Sequence, residues 1–337
     1  MSVRRILWFG IKKKKYELSF SKMNLENFQF DVMEDLWWKK TRWHESTIKA
    51  LVLNKGSKGE TITDDEIRKC QWSSLEEGVN FSFHNCLLAT PPMVITDIFS
   101  GFLGGIKSKL FLKSLRFPSA PSVKSCLGHP DFVLCDENQE IIILGEQKVS
   151  LKKAPHKYTF EQYVKYQNLA ACLRAMNPKA KVLCLVLHPS LDFKKDVKDN
   201  ASWDFEMSEN HQMNNVRILG NCCLHKGHDK EVTDLKECHD VLLSNFSKKT
   251  LQPFLEFNSI DTNRIREMNF PYVDTYFTSW NKFVKKAIDV LGKQGEILEH
   301  LIPSYQSLES LFVRDSFGNT NNGARFLAVE DENQDEE

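Results

Sequence analysis

Residues 128 to 148 read GHPDFVLCDENQEIIILGEQK: two apolar runs, Phe132 to Cys135 and Ile141 to Leu144, around a polar turn. Short apolar runs rich in branched and aromatic residues, bounded by turn formers, read as strands, and two so close together read as a hairpin. Successive strand side chains alternate faces, so Glu146 and Lys148 point the same way. With Asn138 and Gln139 as the tight turn, Glu137 faces Glu140, and counting outward sets Asp131 opposite Glu146 and His129 opposite Lys148. Opposed residues share a face and lie close together, so four groups converge on one patch. Gly145 removes a side chain beside that patch, where close backbone approach is needed. Everything hangs on the turn. Asn tolerates the left-handed conformation, but Asn-Gln is a poorer hairpin signal than Asn-Gly, and a one-residue slip would break the alignment.

Hard oxygen donors at two points suit magnesium or manganese, which commonly use one or two protein carboxylates and leave other positions to water and phosphate. Asp131 and Glu146 fit that role. An ion there lowers the pKa of its bound water and neutralises charge developing on a phosphorus centre, and Lys148 is placed to position the water or steady that charge. Lys152, Lys153, His156 and Lys157 add positive charge beside the patch, where a phosphate backbone could track. The rival reading is an ordinary hairpin with a surface ion pair. Acid-x-lysine tripeptides also occur at Asp192 to Lys194, Asp196 to Lys198 and Asp234 to Lys236. The Glu146 copy differs in its place, at the end of a buried apolar strand.

The chain here resembles the PD-(D/E)xK nuclease superfamily, with Pro130-Asp131 as the first half of the motif and Glu146-Gln147-Lys148 as the second. Thr159 to Met176 reads as a helix ended by Asn177-Pro178, and Lys181 to Leu187 as a strand, the order in which that superfamily continues. Gly128-x-x-Asp131 and Gln162-x-x-x-Tyr166 resemble the RecB and lambda-exonuclease branch, where a Gln on the following helix reaches the site. The resemblance covers about residues 95 to 190 and implies a restriction-endonuclease-like α/β core, a mixed central sheet flanked by helices in αβββαβ order. It implies Mg2+ or Mn2+ on Asp131 and Glu146, catalytic assistance from Lys148, support from Gln162, and phosphodiester hydrolysis with DNA as substrate. Gln162 has a second reading, since Thr159 to Gln162 is a capping box in which it would satisfy the helix N-terminus. Tyr166 continues a helical stripe with Leu169, Ala170 and Leu173 that reads as core. Some branches add an acid from an earlier helix, for which Glu76 and Glu77 are candidates, or an upstream metal-binding His, for which His84 is one. Cys222, Cys223 and Cys238 do not reproduce the cysteine spacing of the iron-sulfur members.

Around this core the sequence reads as a mostly helical region over 1–90, the nuclease-like core over 91–190, a mixed and helical region packing on it over 191–329, and an acidic tail over 330–337. Hydrophobic residues make up 41% and charged residues 27% of the 337 positions, an ordinary globular balance. Lys+Arg and Asp+Glu are both 45, so any positive surface must be local. Nine cysteines without scaffold spacing, and no signal peptide, point to an intracellular protein; Cys135 and Cys184 read as small buried hydrophobes. No apolar stretch approaches a membrane span. Lys12 to Lys15 reads as a nuclear address or a solvated turn, and 31–53 as helix with Trp37, Trp38 and Trp43.

Pro91 to Leu115 reads as apolar and helix-rich. Inside it, Gly101 to Ser108 approaches a phosphate-binding loop but has Ile106 where that loop requires glycine before the lysine. Leu191 to Asn215 reads as polar loops, Asp274 to Leu291 and Ile297 to Phe312 as helices. Cys222, Cys223, His225, His228, Cys238 and His239 are a candidate zinc cluster whose spacing matches no regular finger. Three functions follow: a metal-dependent nuclease, a catalytically silent nuclease-fold binding or interaction module, and a zinc-stabilised adaptor. The sequence leaves oligomeric state and cleavage mode open.

Overall fold

The computed structural model describes residues 75–113, 115, 127–148, 158–188, 203–218, 222–223, 231–232, 243 and 252–313. Two helices come first, α1 (Leu75–Ala89) and α2 (Pro92–Leu103). Three short strands follow, β1 (Phe111–Lys113), β2 (Phe132–Cys135) and β3 (Ile141–Gln147). A helix, α3 (Phe160–Met176), then leads to β4 (Lys181–His188). Further on, β5 (Trp203–Met207) pairs with β6 (Met213–Ile218), and the pair β7 (Cys222–Cys223) and β8 (Glu231–Val232) precedes two short helices, α4 (Gln252–Phe257) and α5 (Thr262–Glu267). The chain closes with β9 (Asp274–Ser279), α6 (Trp280–Lys293), α7 (Glu296–Glu299) and α8 (Ile302–Val313).

The central sheet has five strands in the order β1-β2-β3-β4-β9. β1 and β2, and β2 and β3, pair antiparallel, whereas β4 lies parallel to β3 and β9 parallel to β4. Helices cover both faces, which is why β2 and most of β3 and β4 are buried at every position instead of alternating. One face carries Val133, Leu144, Cys184 and Phe277 against α3 and the β5-β6 hairpin. The other carries Phe132, Ile143, Leu185 and Tyr276 against α1, α2, α6 and α8. There Phe83 makes edge-on contacts with Phe132, Trp280 and Phe283 at 5.2 to 5.4 Å, the geometry that ring quadrupoles favour.

α3 starts where the capping box says: the Thr159 hydroxyl accepts from Gln162 N, the Gln162 amide oxygen accepts from Thr159 N, and Asn177 closes the far end. Three sequence expectations need correction. The Asp274 to Leu291 stretch is not one helix: its first six residues are β9, completing the sheet, and the helix begins only at Trp280. The helical spacing of Tyr276, Trp280 and Phe283 arises because strand and helix bury those residues in the same core. Within Leu191 to Asn215, expected as loops, Trp203–Met207 is a strand paired with the next, its alternation of Trp203 and Phe205 with Asp204 and Glu206 being the missed signal. The end of the apolar 91–115 stretch is β1, not helix. Between them α2 ends at Gly104 and Gly105, with φ of 68° and 67°, so Gly101 to Ser108 is a helix stop rather than a phosphate loop.

Candidate functional site

The turn between β2 and β3 is longer than the sequence suggested, yet the register is the expected one. Asp136 N donates to Ile141 O at 3.2 Å and Ile141 N to Asp136 Oδ1 at 3.0 Å, closing a loop of residues 137–140. Gln139 N returns to Asp136 O at 3.1 Å, and Gln139 takes the left-handed conformation with φ of 55°. Its carbonyl accepts from the Asn177 amide at 2.9 Å, so the cap of α3 also holds the turn. A four-residue loop centred on the same bond as a two-residue one leaves the pairing sum unchanged. Phe132 pairs with Gly145 and Cys135 with Ile142, while Asp131 N donates to Gly145 O at 2.8 Å, so Asp131 itself is not a ladder partner of Glu146. The ladder stops at Phe132, however, and His129 is exposed while Lys148 is buried. The expected opposition of His129 to Lys148 is therefore not formed.

Glu146, Gln147 and Lys148 lie 5%, 0% and 2% exposed at the end of β3. Burying an acid and a base in a protein interior is costly unless each is paired and hydrogen-bonded. Glu146 meets that demand fully. Its Oε1 accepts from Lys148 Nζ at 2.5 Å and from Gln162 Nε2 at 2.8 Å, and its Oε2 accepts from the Tyr166 hydroxyl. Gln162 is thus both a helix cap and a partner of Glu146: its oxygen serves the helix N-terminus and its nitrogen the carboxylate. Tyr166 is core and site at once. Burial first, then the charges of Glu146 and Asp131, hold its hydroxyl well above the usual tyrosine range, so it remains a donor.

Asp131 sits half-buried beside this cluster. Its Oδ2 accepts from Gln147 N at 2.7 Å, which carries on the edge pairing after the ladder ends, and its Oδ1 accepts from Asn80 Nδ2 at 3.1 Å. Asn80, on α1 and 51 residues upstream, was not singled out in the sequence. A lone Asn among apolar helix residues carries no pattern that would mark it. His84, one turn further along α1, is buried and its Nδ1 lies 3.0 Å from Asn80 O, serving the helix backbone beneath the residue that reaches Asp131. Glu76 and Glu77 lie in the first turn of α1, and their side chains lie outside the described residues. So do Lys152, Lys153, His156 and Lys157, the Lys12 to Lys15 run, 31–53, the side chains of Cys222 and Cys223, His225, His228, Cys238 and His239, and the acidic tail.

The two glycines play different parts. A Cβ on Gly145 would stand 2.0 Å from the Phe132 ring. That ring belongs to the face opposite the site, so Gly145 makes room for cross-strand aromatic packing and not, as expected, for an approach to the carboxylates. Gly128 does serve the site, since an added Cβ would press on the Tyr166 ring at 3.0 Å.

Comparison of the chain with protein-family models, curated proteins and solved structures gives no match. The site therefore has to be judged on its own chemistry. Among the described residues no group of three or more His, Cys, Asp and Glu side chains is gathered as a metal cage. Two carboxylates with an amide oxygen are nonetheless an all-oxygen set of the kind magnesium accepts while keeping water. One such oxygen, Asn80 Oδ1, is buried with no donor facing it. Cavities of about 710 and 290 Å³ open elsewhere, one against β6 and the start of β9, the other at Arg174, Lys179 and Lys181. Asp131 and Gln162 are half-buried, whereas Glu146, Lys148 and Tyr166 are buried.

Proposed function

We propose that the chain is a metal-dependent nuclease with a restriction-endonuclease-like core, hydrolysing phosphodiester bonds in DNA. The observation that carries the reading is the meeting of Lys148 and Gln162 on one oxygen of Glu146, with Asp131, just before β2, bonded to the backbone N–H of Gln147. Three residue types from the end of a strand and the start of the next helix are joined there in the αβββαβ order of that superfamily.

Asp131 and Glu146 are the residues that would hold Mg2+ or Mn2+. When bound, the ion supplies a more acidic water and a counter-charge for the phosphate. Gln162 Nε2 and the Tyr166 hydroxyl fix the plane of the Glu146 carboxylate, so that its oxygens point one way before substrate arrives. Lys148 Nζ, held on Glu146 Oε1, brings a positive charge to the patch and is the group placed to steady a phosphate oxygen. Gln147 N orients Asp131 from the backbone, a support that side-chain substitution leaves in place.

A second reading is favoured by one observation. Glu146 is met by three donors and Lys148 is buried, which suits a purely structural ion pair in a silent binding module. Calorimetric titration with manganese separates the two. The nuclease binds the ion and loses it on Asp131→Asn; the module does not bind it. Purified full-length protein that cuts neither DNA nor RNA with magnesium or manganese, or that still cuts after Lys148→Ala, rules the nuclease out.

A further inference from the structure

Asn80 is 5% exposed, and its two amide atoms stand in opposite situations. Nδ2 donates to Asp131 Oδ1 at 3.1 Å, while Oδ1 is buried with no hydrogen-bond partner. Turning the amide over would not cure this, because it would set oxygen against a carboxylate oxygen. A buried carbonyl oxygen without a donor is costly, and native proteins keep few of them. The same amide meets the Asp131 carboxylate through its N–H. What is missing is positive charge next to oxygen.

We infer that Asn80 is a protein ligand of the divalent ion at this site, its amide oxygen completing an oxygen set with Asp131 and Glu146. The inference rests on the metal-dependent reading above. Carboxamide oxygen is a hard donor of the same class as carboxylate and water, suited to magnesium, manganese or calcium. The Asn80 N–H faces Asp131 and brings the positive end of a dipole to its carboxylate. Rotation about the Cβ–Cγ bond, a broad two-fold torsion, exchanges nitrogen for oxygen without moving α1. The oxygen would come from α1, through an amide rather than through an acid or a histidine.

The test uses the full chain with Mn2+ for affinity and with Tb3+ as a luminescent substitute, whose lifetimes in light and heavy water count inner-sphere waters. Asn80→Ala is expected to weaken Mn2+ by about 10-fold or more, the scale on which supporting groups of metal sites act, and to raise the water count by one. Asn80→Asp, which keeps an oxygen, is expected to restore both. If Asn80→Ala does not fold, as judged by melting, Asn80→Ser is read in its place. An unchanged water count overturns the inference even where affinity falls, because Asn80 would then only position Asp131. Wild-type protein that binds neither ion overturns the metal-dependent reading itself, whereas binding that depends on Asp131 but not on Asn80 overturns this inference alone.

Discussion

Two acid-lysine pairs of similar length sit at opposite extremes of burial. Lys148 and Glu146 meet at 2.5 Å with side chains 3% and 7% exposed; Lys293 and Asp289, on the last turns of α6, meet at 2.8 Å with side chains 69% and 49% exposed. The helical pair is an i,i+4 contact in water, screened and free to break. Hydrogen bonding to Lys293 holds the Asp289 carboxyl below its ordinary range even so. The strand pair cannot break cheaply, because each partner would be left charged in the interior. Burial, and not the acid-x-lysine pattern, separates a site from a surface decoration, and Glu146 recruits Gln162 and Tyr166 for the same reason.

The contrast is sharpest under substitution. Lys148→Ala leaves Glu146 uncompensated and is expected to cost about 3–5 kcal/mol of folding stability, measured by urea unfolding, while Lys293→Ala leaves the unfolding midpoint unmoved. Equal responses from the two would break the comparison. Replacing both buried charges, Lys148→Met with Glu146→Leu, should recover most of the loss while abolishing ion binding, which separates stability from function. Tyr166→Phe keeps the ring and removes one donor to a charged acceptor, and should cost about 1.5–3 kcal/mol. Gln162→Ala removes a cap and a carboxylate partner together; the cap alone is worth about 1 kcal/mol, and the full loss should exceed that seen for Asp261→Ala, which caps α5 only.

A further effect is alkaline. Burial raises the hydroxyls of Tyr158, Tyr166 and Tyr305 and pushes the thiols of Cys86 and Cys135 up to about 12. The folded chain then keeps protons that the unfolded chain releases above the ordinary thiol and phenol values, roughly 8.5 and 10. Stability is full below that range and falls as pH rises through it. Tyr166→Phe should soften the decline, and a pH-stability profile that is flat to pH 11 would contradict the burial assigned to these groups.

Much of the hairpin was legible because its information is local. Alternation and apolar runs define the strands, and the register follows from where the turn is centred, which survived an error in the loop's length. The caps Thr159 and Asn177 mark α3 to the residue for a similar reason. What stayed hidden is long-range. Asn80 reaches Asp131 from another element, and no spacing along the chain encodes that contact. Gly145 was assigned to the wrong face because a glycine tells that something comes close without telling what. β9 was taken for helix because burial in a shared core mimicked helical spacing over Tyr276 to Phe283. The mixed sheet flanked by helices was readable; its fifth strand, contributed from 274–279, was not.

On the proposed function, the end of β3 cleaves phosphodiester bonds and is not merely a well-paired ion pair. The most direct measurement is cleavage of end-labelled linear and single-stranded DNA by the full chain with Mg2+ or Mn2+, beside Asp131→Asn, which keeps the residue's shape and removes its charge. The account predicts ion-dependent cleavage by the wild-type chain and none by Asp131→Asn at matched melting temperature. Wild-type protein that leaves DNA intact with either ion, or an Asp131→Asn protein that cuts as well as wild type, would contradict it.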